Sequence, residues 1–221
     1  MMECYSFERI AKNYGRKQVL FGVSGEFPPG SMVGLLGLNG AGKTTLLNIL
    51  GNCDRDFSGY ISLRGNAVAY MPTRLPFPTF WQVREVLDFY GRFYKFDRFL
   101  ADQLLLEAKI SPHARLSALS DGMRRMVAFI GCYCTDAQVY LLDEPLTNLD
   151  AFLRAEIADL LIGRALGEKI TVIATHEIKE FENLFTHICI LRGGGLSPLK
   201  DAEDIRAEGM SIEEYYRGKA K

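Results

Sequence analysis

The residues from Gly37 to Thr44 have the types and the spacing needed to bind phosphate groups. They read Gly-Leu-Asn-Gly-Ala-Gly-Lys-Thr, which matches the G-x-x-x-x-G-K-[ST] pattern in full. In such a loop the glycines let backbone N–H groups converge on phosphate oxygens, and the following helix adds about half a positive charge at its N-terminus. This chemistry predicts that Lys43 reaches the β- and γ-phosphates of a nucleotide and that the Thr44 hydroxyl binds Mg²⁺.

The segments on either side of this loop favour the same interpretation. The apolar run Met32–Leu36 precedes the loop, and a helical run over residues 45–50 follows it. A nucleotide-binding loop requires a strand before it and a helix after it, and a chance match in a glycine turn lacks that context. We therefore expect contacts to a nucleotide, which this loop alone does not identify as ATP or GTP, from a continuous set of residues: Gly37, Leu38, Asn39, Gly40, Ala41, Gly42, Lys43, Thr44 and Thr45.

A second group of chemically active residues ends an apolar strand. Residues 139–142 read Val-Tyr-Leu-Leu and are followed by Asp143 and Glu144. Open α/β sheets bind their ligands beyond the carboxyl ends of the strands. We expect Asp143 to hold Mg²⁺, directly or through water, and Glu144 to polarise an attacking water molecule. Taken alone, the two acids fit equally well at the start of a solvated turn before Pro145, and the phosphate loop upstream decides against that alternative.

The elements that must position these groups have an alternating pattern. The clearest strands are short, continuous apolar runs over residues 32–36, 139–142, 170–174 and 188–191. Continuous runs indicate burial on both faces, as in a parallel sheet. Helical patterns lie between them, as in residues 151–166, where Leu153, Ile157, Leu160 and Leu161 recur at helical spacing. Strands that alternate with helices predict an α/β core.

Other segments of the chain have different patterns. Residues 6–10, 60–63 and 67–70 look like short strands, and we expect them in an antiparallel sheet beside the core. Residues 79–118 are mostly helical in pattern, which predicts a helical lobe inserted into the core. In its first helix we expect one buried face, made by Val83, Val86, Leu87, Tyr90 and Tyr94. Residues 211–216 predict a short capped helix near the end.

Composition excludes several classes of protein. The 221 residues carry a net charge of -1, so no overall basic field attracts nucleic acid. The longest uncharged stretch, residues 27–42, contains two prolines and five glycines and is unsuited to span a membrane, which needs roughly 20 apolar residues. The start of the chain has no signal-peptide pattern. We expect a cytosolic protein whose five cysteines are reduced and structural, and whose three scattered histidines form no metal cage.

Further motifs appear in a fixed order along the chain. Some 20 residues before the acidic strand, residues 119–123 read Leu-Ser-Asp-Gly-Met. After Glu144, residues 146–150 read Leu-Thr-Asn-Leu-Asp. His176 comes just after the strand at 170–174. With these motifs the sequence resembles the ATP-binding cassette (ABC) ATPases over nearly its whole length. The resemblance implies one domain over residues 1–221, with a P-loop NTPase parallel-sheet core, an antiparallel β subdomain, an inserted α-helical subdomain at about 74–118 and a helical tail at about 200–221.

The resemblance also implies roles for individual residues. Glu144 and His176 would be catalytic, Thr44 and Asp143 would hold Mg²⁺, and Tyr14 would stack on adenine. Ser120 and Gly122, in the signature motif, would contact ATP held by the phosphate loop of a second protomer, and Asp150 would belong to the loop near that nucleotide. Met123-Arg124-Arg125 is similar to single-cassette ATPases of bacterial exporters of the bacitracin-resistance type.

Taken together, the resemblance predicts an ATPase subunit, with ATP and Mg²⁺ as cofactors, that works as a homodimer or heterodimer. It would power export through a separate membrane permease, peripheral on the inner face of the cell membrane, with no nucleic-acid partner. Nine aromatic residues between positions 77 and 99 would build the small core of the helical lobe or line a groove for a permease helix, and the same residues are able to do both.

Several alternatives stay open at this point. Tyr14 also fits an ordinary strand position, Asp150 a helix cap, and His176 a buried structural site. Two departures from the family pattern fit a weakened partner in a heterodimer: Thr73, at the hinge into the helical lobe where glutamine is usual, and Asp121, within the signature motif. A soluble ABC ATPase without a transport role is the remaining alternative, although this chain has neither the second cassette nor the long coiled coils of such proteins.

Overall fold

The computed structural model describes residues 3–62, 67–165 and 167–220. Its strands are β1 (Tyr5–Tyr14), β2 (Lys17–Phe27), β3 (Met32–Leu36), β4 (Ser58–Ser62), β5 (Val68–Met71), β6 (Val139–Asp143), β7 (Ile170–Thr175), β8 (His187–Arg192), β9 (Gly195–Leu196) and β10 (Lys200–Asp201). Its helices are α1 (Lys43–Leu50), α2 (Val83–Phe93), α3 (Arg98–Glu107), α4 (Asp121–Tyr133), α5 (Ala151–Ala165), α6 (Ile178–Phe181), α7 (Ala202–Ala207) and α8 (Ile212–Ala220), with a 3₁₀ turn at Leu116–Ala118.

The larger sheet has the order β10-β8-β3-β7-β6-β5, and β9 pairs with β8. Strands β8, β3, β7, β6 and β5 run parallel to one another, whereas β10 and β9 pair antiparallel with β8. Every residue of β3, β6 and β7 is buried, which explains the continuous apolar runs of the sequence. The α/β fold with a parallel core is therefore confirmed.

Side chains of these strands enter two separate hydrophobic clusters. Val33 and Leu35 of β3 pack with α1 and the antiparallel sheet, whereas Met32 and Leu36 pack with the helical lobe and α5. This alternation follows from the two-residue period of a strand, which sends successive side chains to opposite faces. The sheet is covered on both faces, and the carboxyl ends of its central strands meet at one edge.

The smaller sheet is antiparallel, as predicted, and its strands have the order β2-β1-β4. One assignment was wrong: residues 67–70 were expected in this sheet, but β5 forms the edge of the parallel sheet, where Val68 pairs with Val139 and Met71 with Leu142. A four-residue strand is too short to reveal its partner by pattern, so tertiary packing decides. Leu63, the expected end of β4, lies outside the described residues.

The lobe between β5 and β6 is built from α2, α3, the 3₁₀ turn and the start of α4. Four of the five residues predicted on the inner face of α2 are buried; the fifth, Tyr94, ends the helix and donates a hydrogen bond from its phenol to the Val68 carbonyl at 2.8 Å. Phe77 stacks on Trp81 with centroids 5.4 Å apart and contacts Phe89 at 5.1 Å. Part of the aromatic cluster thus forms the small core of the lobe.

The C-terminal helices begin with side-chain caps. The Ser211 hydroxyl accepts a hydrogen bond from the Glu214 N–H at 3.1 Å, and the Glu214 carboxylate accepts one from the Ser211 N–H at 2.9 Å. This reciprocal pair confirms the predicted cap of α8. None of the helices within the described ranges has the length and apolar character to cross a bilayer.

Candidate active site

The phosphate-binding loop joins β3 to α1 and depends on two glycines. Gly42 caps α1 with a φ of 106°, in the left-handed region that other residues avoid. A Cβ atom at Gly37 would lie 2.6 Å from the Leu191 carbonyl oxygen, so only glycine fits there. The Lys43 ammonium is buried and donates to the Gly37 carbonyl at 2.7 Å. The loop is therefore held in place from both ends.

A cavity of about 350 Å³ lies beside this loop and brings the two predicted motifs together. Its walls combine the loop, the first turn of α1, the hinge after β5 and the end of β6. The residues that line it are Val19, Asn39, Gly40, Gly42, Lys43, Thr44, Thr45, Thr73 and Glu144. Leu38 and Ala41 line a different, largely apolar cavity of about 460 Å³ on the other side of the loop, with Phe21, Leu191 and Tyr216.

The Glu144 side chain contacts several other side chains at the cavity wall. One carboxylate oxygen lies 2.9 Å from His176 Nδ1 and 3.6 Å from the Lys43 ammonium. The other accepts a hydrogen bond from the Thr175 hydroxyl at 3.2 Å. Strands β6 and β7 are parallel neighbours, so their ends bring Glu144 and His176 together. The carboxylate is oriented from several sides and is able to accept a proton from a water molecule in the cavity.

Asp143 is fully buried, and burial raises its pKa to about 6. The Thr44 hydroxyl faces it and opposes this rise, but neither carboxylate oxygen makes a hydrogen bond of ordinary geometry within the described part of the chain. A buried carboxylate without a partner is unfavourable, and a cation satisfies it. Carboxylate and hydroxyl oxygens are ligands that Mg²⁺ prefers, so Asp143 and Thr44 fit this ion.

The remaining ligands of such an ion would have to come from elsewhere. Within the described residues, no group of three or more His, Cys, Asp or Glu side chains is placed to hold a metal. Mg²⁺ in nucleotide sites usually takes one or two protein ligands together with phosphate oxygens and water. The pair of Asp143 and Thr44 is therefore suited to a metal that arrives with a nucleotide.

The signature residues lie apart from this cavity. Ser120 caps α4 by accepting a hydrogen bond from the Met123 N–H at 3.1 Å, and Asp121 pairs with Arg124 at 3.0 Å while its side chain is 80% exposed. Gly122 lies against the Asn148 backbone, where a Cβ atom would come within 2.9 Å of the carbonyl oxygen. The structure does not bring Ser120 or Gly122 to the phosphate loop of the same chain.

Tyr14 and Asp150 also lie outside the cavity. Tyr14 is half exposed at the end of β1; the Lys12 ammonium lies 5.0 Å from its ring centroid, and its phenol oxygen lies 3.5 Å from Asp54. Asp150 caps α5, because its carboxylate accepts a hydrogen bond from the Leu153 N–H at 3.0 Å. Contact of either residue with ATP stays a prediction.

Sequence reasoning missed the contacts of Arg125. This residue was noted only as part of a basic run, but its guanidinium donates to the Thr73 carbonyl at 2.9 Å and to the Glu144 carbonyl at 2.5 Å. Arginine near the start of a helix usually points to solvent, and the residue type gives no signal that it turns inward. Thr73 itself lies at the cavity wall, where the hinge was expected.

Comparisons with known proteins agree with this geometry. Residues 20–147 match the model of the ABC transporter family. The chain is 30% identical over 218 residues to an uncharacterized ABC transporter ATP-binding protein of Methanocaldococcus jannaschii, an alignment that covers 96% of this chain and 83% of the relative. It is 29% identical over 238 residues to the Nod factor export ATP-binding protein I of Rhizobium etli, covering 98% of this chain and 75% of the relative.

Solved structures have the same fold. An ATP-binding subunit of an ABC transporter superposes with a TM-score of 0.85 at 22% identity, covering 98% of this chain and 99% of that chain. The dimeric structure of a bacterial ABC transporter cassette superposes with a TM-score of 0.76 at 20% identity, covering 90% of this chain and 98% of that chain. The combination of parallel core and antiparallel sheet is common to all three.

Proposed function

This chain belongs to the ABC transporter family as an ATP-binding ATPase subunit, and from that premise we propose that it powers export through a separate membrane permease. The observation that carries the catalytic part of the proposal is the Glu144 carboxylate, held by His176 and Thr175 in the wall of the phosphate-loop cavity. Its arrangement supports a general base beside a site for the γ-phosphate.

The proposed hydrolysis begins with Lys43. Its ammonium contacts the Gly37 carbonyl and Glu144, and it would exchange these partners for phosphate oxygens when ATP binds. Glu144, released from that ion pair, accepts a proton from the attacking water. His176 holds the carboxylate in this direction through its Nδ1 contact. Thr44 and Asp143 would hold Mg²⁺, which neutralises charge on the phosphates.

The second half of the nucleotide site would come from another protomer. Ser120 and Gly122 begin α4 on an exposed face, and no residue of the phosphate-loop cavity wall belongs to that motif. We therefore assign the signature residues to ATP bound by a partner chain. The dimeric cassette with the same fold is consistent with this arrangement.

Two observations support the part of the proposal that concerns export and the permease. One relative is named as an export ATP-binding protein. Phe80, Phe93 and Phe99 of the lobe are more than two-thirds exposed, whereas Phe77 and Trp81 pack inside it. The outer aromatic residues would form the groove for a permease helix, and the inner ones would support it. The chain would then work at the inner face of the cell membrane.

The dependence of ATPase activity on protein concentration tests the shared site. Because two chains would form each site, the specific activity of the purified chain with Mg²⁺ should rise with concentration and then level off. Ser120→Phe adds bulk to an exposed face and should remove this rise while leaving nucleotide binding intact. Ser111→Phe, at another exposed serine of the lobe, is the matched control and should behave like the native chain. A specific activity that is independent of concentration would contradict the shared site.

A further inference from the structure

Arg125, half-buried near the start of α4, joins three parts of the molecule through backbone carbonyls. Its Nη2 donates to the carbonyl of Thr73, in the hinge after β5. Its Nη1 donates to the carbonyl of Glu144 and lies 3.4 Å from that of Asp143, at the end of β6. Because β5 and β6 are parallel neighbours, one guanidinium connects both strand ends to the helix that begins with the signature motif.

The backbone of Glu144 gives this contact its importance. Its φ is 50°, in the left-handed region, where a residue other than glycine rests only when its surroundings hold it. Three hydrogen bonds do so. The Glu144 N–H donates to the Ala174 carbonyl at 2.8 Å. The Glu144 carbonyl accepts from Arg125 at 2.5 Å and from the Thr147 N–H at a longer 3.3 Å. The direction of the Glu144 side chain, and hence its contact with His176, depends on this backbone conformation.

We propose that Arg125 is a positioning residue for ATP hydrolysis, which acts by holding the Glu144 backbone in its left-handed conformation. The proposal rests on the proposed role of Glu144 as proton acceptor. A guanidinium suits this task because its planar fork reaches two carbonyls at once, on neighbouring strands. Since Ser120 caps the same helix, the contact also connects the position of the signature motif to that of the Glu144 carboxylate.

Substitution of Arg125 should lower the turnover number and spare nucleotide binding. For Arg125→Gln we expect kcat to fall by roughly 10- to 100-fold, the effect of misplacing a catalytic group by about 1 Å. The KM for ATP and the nucleotide Kd should stay within about threefold, because the phosphate loop is untouched. Arg125→Lys should keep an intermediate kcat, since an ammonium keeps the charge but lacks the fork.

Arg206→Gln is the matched control for loss of stability. Arg206 is also partly buried and donates to two backbone carbonyls, those of Glu182 at 2.7 Å and Phe185 at 3.1 Å. Neither of these partners lines the phosphate-loop cavity, whereas Thr73 and Glu144, the partners of Arg125, both do. Its replacement should lower Tm, as Arg125→Gln does, and leave kcat at the native value. An equal fall of kcat in both variants would overturn the proposal, because it would show that lost stability alone explains the effect.

A double-mutant cycle identifies the group through which Arg125 acts. In a Glu144→Gln background, Arg125→Gln should cause no further loss of kcat. If the loss of kcat in the double variant equals the product of the two single losses, Arg125 does not act through Glu144. That result, or native kcat in both Arg125 variants, would overturn this proposal and leave the proposed function of Glu144 standing. Native kcat in Glu144→Gln would overturn the proposed function of Glu144 and this proposal with it. If Arg125→Gln does not fold, Arg125→Lys serves in the same comparisons.

Discussion

The two ends of the proposed nucleotide site differ in how completely one chain builds them. At the phosphate-loop end, Glu144 is only 12% exposed and contacts His176, Thr175 and Lys43. At the signature end, Asp121 is 80% exposed, and its contact is with Arg124 on the same helix turn. At the first end, residues of one chain hold the reactive carboxylate in place. The second end is a capped helix terminus, and its proposed role depends on a second chain that brings ATP to it.

Burial explains why this difference should show in experiments. Charges in a buried cavity interact strongly because little water screens them, whereas exposed ion pairs are worth little, about 0–1 kcal/mol. Substitutions near the phosphate loop should therefore have large effects on function within one chain. Substitutions at the signature end should have small effects on the isolated chain and appear mainly when two chains meet.

The largest effect is expected for Glu144→Gln. The amide keeps the size of the side chain but cannot accept a proton, so kcat should fall by about 10²- to 10⁴-fold. Nucleotide affinity should be retained or increased, because Lys43 loses a competing ion pair. Steady-state ATPase assays and nucleotide titration measure the two quantities. Glu180→Gln, an exposed glutamate of α6, is the control, and a native rate for Glu144→Gln would show that another group is the base.

An intermediate effect is expected for Asp143→Asn, and it should depend on pH. Burial raises the pKa of Asp143 to about 6 in the folded chain, so the folded state binds this proton more tightly than the unfolded state does. Stability therefore falls as pH rises from about 4 to 6, by an amount on the order of 1–3 kcal/mol. Removing the charge should raise the Tm of the nucleotide-free chain at pH 7.5 by roughly 2–8 °C, and by less at pH 5.5.

The same variant should respond differently to Mg²⁺. The native chain should bind ATP more tightly when Mg²⁺ is present, and Asp143→Asn should lose most of that gain, because the amide is a weaker ligand. Thermal melts at the two pH values and ATP titrations with and without Mg²⁺ measure both effects. An equal Tm gain at pH 5.5 and pH 7.5 would show that the charge of Asp143 is not the cause.

The smallest effect is expected for Asp121→Gly. Asp121 points to solvent and pairs with Arg124, so its removal should change ATP-driven dimerisation by less than about tenfold. Tm should fall slightly, since an acid in the first helix turn is favourable and glycine is a poor helix former. Analytical ultracentrifugation with ATP measures the dimer. Tightening by about a hundredfold would mean that the carboxylate faces a phosphate, and the weakened-heterodimer alternative would then replace the homodimer.

Much of the phosphate-loop end could be predicted from sequence, because it depends on local patterns. An apolar strand followed by Asp143 and Glu144 places both acids at the edge of a parallel sheet, and the same logic brought His176 beside them. The sheet to which β5 belongs was not predictable, since four residues fit either sheet. The contacts of Arg125 were not predictable either, because they join residues 52 and 19 positions apart in sequence.

The left-handed backbone of Glu144 also has a consequence for evolution and for engineering. An L-residue in this region costs roughly 1–2 kcal/mol, which glycine avoids and asparagine reduces. Glycine at position 144 would relieve this backbone cost, but it would also remove the carboxylate and its contacts with His176 and Lys43. The backbone conformation and the carboxylate at position 144 therefore make opposite demands on the residue. Consensus design or directed evolution for thermal stability should leave Glu144 unchanged, so that turnover is kept.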